Sequence, residues 1–82
     1  MATTAVLFKV YAEGGKEEEV RKAIYDSMHP KAIGLEEVAF GIKVIKVLFV
    51  HEDKEGSSSI EEKLKQVKGV NEVEVVEETL LS

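Results

Sequence analysis

The chain has 82 residues, no cysteine, and 11 basic against 16 acidic side chains, for a net charge of −5. A chain of that length buries one hydrophobic core, and an acidic balance excludes the phosphate-neutralising surface that nucleic acids and anionic membranes attract. Without cysteine there are no disulfides, zinc–thiolate sites, iron–sulfur clusters or thiol nucleophiles.

Apolar residues make up 44% of the chain, ordinary for a folded domain, so residues 1–82 are expected to form a single domain. The only arginine is Arg21. No basic stretch followed by a long apolar run opens the chain, and runs such as Val47–Val50 are far too short to span a bilayer. A cytoplasmic location is expected. A basic protein partner remains compatible with the charge.

Thr4–Ala12 (TAVLFKVYA) is rich in β-branched and aromatic residues and predicts a strand. Glu13-Gly14-Gly15 breaks it. A helix is expected from about Lys16 to Met28, with Val20, Ala23, Ile24, Ser27 and Met28 on one stripe. Glu17/Arg21 and Glu18/Lys22 form i,i+4 pairs there, and three glutamates lie near the positive end of the helix dipole. His29-Pro30 ends the helix, because proline disfavours helical backbone in the residue before it. Ile33–Ala39 reads as a short strand carrying Glu36 and Glu37, and Ile42–His51 as the strongest strand of the chain. Ser59 followed by Glu62 reads as a capping box starting a second helix, with Ile60, Leu64 and Val67 on one stripe and Gly69 placed to end it. Val70–Thr79 closes the chain as a strand, Val73 and Val75 alternating with Glu72 and Glu74.

The order β-α-β-β-α-β predicts an α+β, ferredoxin-like sandwich: a four-stranded antiparallel sheet with both helices on one face. Strands one and three are apolar on both faces and belong in the centre. Strands two and four carry the glutamates suited to edges. The uncovered face is expected to show some of Val44, Leu48 and Val50 to water beside Lys46. That surface either marks a contact or is covered by the stems of Lys9 and Lys46.

The residue types that carry catalysis are poorly arranged. His29 and His51 have no metal-ligand spacing and read as surface histidines. Glu17-Glu18-Glu19, Glu61-Glu62 and Glu77-Glu78 read as solvated carboxylates, without the desolvated member that an acid–base pair needs. Ser57–Ser59 have no adjacent base, and Gly14-Gly15 is a turn without a phosphate-binding motif. No catalytic residue, metal or cofactor is expected. One segment stands out: Ala39-Phe40-Gly41-Ile42 puts a bulky ring at a hairpin turn. Either Phe40 folds back onto the core, or it points outward at something else, with Gly41 allowing the sharp turn.

At these residues the chain resembles the guanine-nucleotide exchange domain family of translation elongation factor 1-beta, in its short archaeal form. The resemblance runs over essentially the whole chain. It is carried by Val38-Ala39-Phe40-Gly41-Ile42-Lys43, the long strand Val44–Glu52, Ile60-Glu61-Glu62-Lys63-Leu64, Val67-Lys68-Gly69-Val70, Val73-Glu74-Val75 and Glu78-Thr79-Leu80-Leu81. The AFG step before an apolar strand is its most specific element.

The resemblance implies a non-catalytic exchange factor that binds elongation factor 1-alpha, in GDP-bound and nucleotide-free forms, and hastens GDP release. It implies partner contact at Phe40, with Gly41 and Lys43 beside it, and at the C-terminal Leu80 and Leu81. Eukaryotic members carry a lysine second from the end that displaces magnesium. Here that position is Leu81, and no lysine or arginine follows Lys68, so the lysine step does not carry over. A steric wedge is expected in its place, with Glu77 or Glu78 competing for magnesium or its ligands. The alternative is a small-molecule-sensing or dimerisation module of the same fold, pairing through its open sheet face.

Overall fold

The computed structural model describes residues 3–52 and 56–81. Its elements are β1 (Thr4–Ala12), α1 (Glu17–Met28), β2 (Ala32–Ala39), β3 (Ile42–His51), α2 (Gly56–Lys65) and β4 (Val70–Leu80). The strands form one antiparallel sheet in the order β2-β3-β1-β4. The ferredoxin-like expectation therefore holds, with the two most apolar strands central and the glutamate-bearing strands at the edges.

Alternation along the strands decides which residues meet the helices. Val6, Phe8 and Val10 of β1 and Ile45, Val47 and Phe49 of β3 face the helical layer, where Val20, Ile24 and Leu64 complete the core. Phe8 and Phe49 meet edge to face, with ring centroids 6.0 Å apart. Among the described residues no polar or charged residue is buried as a whole, but both ring nitrogens of His51 are covered without a hydrogen-bond partner, so His51 is not the surface histidine expected. The core is therefore held by apolar burial, with no internal ion pair to orient it.

The helix ends depart in detail from the sequence reading. Helix α1 starts at Glu17, and Arg21 pairs with Glu18 at 3.0 Å rather than with Glu17. His29 takes a left-handed conformation and donates its N–H to the Tyr25 carbonyl, which closes the helix ahead of Pro30. Helix α2 begins at Gly56, three residues before the expected cap. Ser59 therefore lies within the helix and does not start it. The tie at this end is tertiary: the Ser57 hydroxyl donates to the carboxylate of Glu78 on β4.

Gly69 does not end α2 either. The helix stops at Lys65 and tightens through two i→i−3 bonds, from Gln66 to Lys63 and from Val67 to Leu64. Gly69, at φ +94°, instead turns the chain into β4. Strand β2 begins one residue earlier than expected and β4 ends one later.

The uncovered face carries Ala5, Leu7, Lys9 and Tyr11 from β1 and Val44, Lys46, Leu48 and Val50 from β3. Of the three apolar residues expected there, Val44 is covered, being only 2% exposed. Its cross-strand neighbour Glu36 reaches diagonally to Lys46 at 3.7 Å, so two long side chains border it. Leu48 is half-buried and Val50 exposed.

Candidate partner-binding site

The β2–β3 hairpin is closed by the pair Ala39–Ile42, which leaves a two-residue turn of Phe40 and Gly41. Both have positive φ, +49° and +79°, the sign pattern of a type I′ turn. That turn matches the right-handed twist of the flanking strands, but it favours asparagine or glycine at its first position. A phenylalanine there pays about 1–2 kcal/mol for left-handed backbone.

The ring receives nothing back from its own chain. Phe40 is 101% exposed, which overturns the reading that it folds onto the core. A register shift between Glu37 and Ala39 puts Val38 in a bulge beside the turn. Val38 and Ile42 are both exposed, so Phe40 crowns a small apolar tip. Gly41 has nothing within 4 Å of where a Cβ would stand, so its role is conformational. Lys43 lies across from Glu37, exposed at the base of the tip.

The remaining expected contact residues lie elsewhere. Leu80 pairs with Thr4, which in turn pairs with His51 at the far end of β3. The Leu81 N–H donates to the Thr3 carbonyl at 2.7 Å and extends the ladder. Both leucines are exposed. The length of β3, ten residues, separates them from Phe40 by about 30 Å. The structure therefore divides the expected contact residues into two ends, Phe40, Gly41 and Lys43 at one and Leu80 and Leu81 at the other.

Glu77 and Glu78 are also divided. Glu78 pairs with core-facing Val6 and accepts the Ser57 bond on the helical side. Glu77 pairs with Leu7 on the open face. Two carboxylates on opposite faces cannot close on one ion together. Among the described residues no group of three or more histidines, aspartates or glutamates is placed to hold a metal. His29 caps α1 and His51 ends β3.

Among the described residues the one perturbed titration belongs to Tyr11 on the open face. Its phenol is pushed above the ordinary value of 10.0, chiefly by donating a hydrogen bond to Glu74, with desolvation and the charges of Glu74 and Glu72 adding to it. Sequence reasoning did not single out Tyr11, although the cross-strand set Tyr11, Glu72 and Glu74 follows from the register. It also left Val38 out of the hairpin tip, because a bulge cannot be read from alternation. The left-handed backbone at Phe40 did have a signal: two residues between paired strands, the second a glycine.

Fold and site together define a ferredoxin-like domain that presents an unsupported aromatic tip at one end of its sheet. The chain belongs to the family described as EF-1 guanine nucleotide exchange domain, which it matches over residues 15–81. Curated relatives include an elongation factor 1-beta of Aeropyrum pernix, 36% identical, and one of Staphylothermus marinus, 34% identical. Each alignment covers 92% of both chains. Among solved structures, the ACT domain from GTP pyrophosphokinase of Chlorobium tepidum is similar at a TM-score of 0.55 and 17% identity. That match covers 92% of this chain and 83% of that one, and shows the shared fold.

Proposed function

We propose that the chain is a non-catalytic guanine-nucleotide exchange factor that promotes GDP release from the GTPase elongation factor 1-alpha during translation elongation, in the cytoplasm. Family membership supports the activity. The observation that carries the mode of action is Phe40, fully exposed on left-handed backbone. A strained, unpacked aromatic lowers the stability of the free domain, so its benefit lies in a complex. Burying that ring in a partner supplies about 1.5–3 kcal/mol.

An anchor alone does not speed exchange. A partner hastens nucleotide loss only if it binds the nucleotide-free GTPase more tightly than the loaded form. By linkage, weakening GDP a thousandfold requires about 4 kcal/mol of such preference. In this reading the Phe40 tip holds one part of the GTPase. The opposite end of the sheet, with Leu80 and Leu81, presses on another part, and the rigid sheet between them opens the nucleotide site. Carboxylates acting singly at that end, Glu77 foremost, compete for the magnesium ligands.

The test is release of labelled GDP from the cognate GTPase with and without this protein. Acceleration that Phe40→Ala weakens, with the circular dichroism spectrum unchanged, supports the reading. No acceleration by the wild-type chain overturns it.

A further inference from the structure

We propose that the open face of the sheet carries a second docking site, a cleft that takes a short segment of a partner protein combining an aliphatic side chain with a flanking lysine or arginine. The cleft shares Leu81 and Glu77 with the end of the sheet that the exchange reading sets against the GTPase, but it needs neither the Phe40 tip nor nucleotide exchange.

The open face is divided by a charged row. Lys46 on β3 stands opposite Lys9 on β1, which stands opposite Glu74 on β4. Beyond that row, toward the end where Leu80 pairs with Thr4, the surface turns apolar. A shallow cleft of about 250 Å³ opens there, lined by Ala5, Leu7, Leu48, Glu77, Thr79 and Leu81. Its floor is aliphatic, and among the described residues its one charged wall is Glu77. Among the described residues that carboxylate forms no ion pair and accepts only a 3.4 Å bond from the Thr79 hydroxyl.

Size narrows the occupant. Small-molecule sites run to roughly 300–1,000 Å³ and enclose their ligand, so an open cleft below that range suits one or two side chains. A second copy of this chain fits poorly. The charged row that crosses the face, with Lys9 opposite Lys46, would lie inside any self-pairing surface. Such a surface would have to desolvate both lysines. Charge narrows it further. A net charge of −5 and a rim carboxylate without an ion pair among the described residues favour a cationic visitor, whose methylene stem can lie on Leu7 and Leu48.

The test uses the full chain labelled with 15N and the capped peptide Ala-Arg-Leu-Arg-Ala. Saturable amide shifts are expected at Leu7, Leu48, Glu77 and Leu81, without matching shifts at Phe40 and Gly41. Glu77→Gln should weaken binding on the order of tenfold. The peptides Ala-Glu-Leu-Glu-Ala and Ala-Arg-Ala-Arg-Ala should each shift these residues far less. Absence of saturable shifts, equal response to either control peptide, or indifference to Glu77→Gln overturns the proposal. So does sedimentation showing a stable dimer that Leu48→Lys dissociates, since a second copy then covers the face. No GTPase or nucleotide enters the assay, so its failure is distinguishable from failure of the GDP-release test although Glu77 and Leu81 figure in both readings.

Discussion

Phe40 and Leu81 stand at opposite ends of one sheet, joined by the unbroken run of β3 and its pairing through β1 to β4. No side chain contacts both, and about 30 Å of hydrogen-bonded strand lies between them. If both ends touch the GTPase, their contributions should be independent. Phe40→Ala is expected to weaken binding about ten- to a hundredfold. Leu81→Ala should weaken it less, given the smaller ring-free side chain. The double variant should equal the sum within about 0.5 kcal/mol. Titration calorimetry on the nucleotide-free complex measures all three, and strong non-additivity would mean that the ends do not act as separate contacts.

The left-handed backbone at Phe40 gives a prediction in which stability and function move in opposite directions. Asparagine tolerates positive φ and is the favoured first residue of a type I′ turn. Phe40→Asn should therefore stabilise the isolated domain by about 1 kcal/mol and raise its Tm by about 4–8 °C. The same variant should lose most of its acceleration of GDP release. A lowered Tm would show that the ring supports the monomer, contrary to its exposure.

The sequence disclosed most where a residue's neighbours along the chain determine its environment. Strands β1 and β3 were legible to the residue because Val6, Phe8 and Val10, then Ile45, Val47 and Phe49, alternate with the opposite face. The edge strands were legible because glutamates interrupt the same pattern. The start of α2 was not. Ser59 and Glu62 satisfy a local capping rule, while the contact made there joins Ser57 to Glu78, 21 residues away. Which of Val44, Leu48 and Val50 is covered was not legible, because the diagonal Glu36–Lys46 pair beside Val44 crosses strands. At the candidate site, Phe40 was identifiable but its direction was not. An apolar ring at a turn is compatible with core or solvent until the turn type is known. The Glu77 cleft was illegible because it depends on the register between β1 and β4, where a shift falls between Leu7 and Phe8.

Tyr11 and Glu74 supply a pH-dependent signal. The phenol donates to the carboxylate at 3.1 Å, and this bond is what chiefly raises its pKa above 10.0. A group with a raised folded pKa contributes stability that is complete below its unfolded pKa and fades as pH climbs through the folded value. The domain should accordingly lose this contribution only in strongly alkaline solution, above the ordinary tyrosine range. Glu74→Gln should move the Tyr11 titration downward, followed by phenolate absorbance in a Tyr25→Phe background. An unchanged midpoint would refute the hydrogen bond as the cause.

Gly69 tests how β4 is held against α1. A Cβ at this position would come within 2.8 Å of Val20 Cγ2, in a backbone with φ +94° that side chains rarely adopt. Val20 is fully buried, so it cannot swing aside cheaply. The Gly69 carbonyl also accepts the Glu13 N–H at 2.9 Å, which ties the exit of β1 to the entry of β4. Gly69→Ala should therefore cost about 2–4 kcal/mol, combining left-handed strain with overpacking. Gly41→Ala offers the comparison, since its φ is also positive but nothing lies within 4 Å. It should cost only about 1 kcal/mol, from strain alone. Urea denaturation of both variants separates the two terms. Adding Val20→Ala to Gly69→Ala should recover part of the loss, making the pair at least about 1 kcal/mol better than the sum of the singles. Strict additivity would mean that the glycine is required for its backbone alone and that α1 does not rest on it.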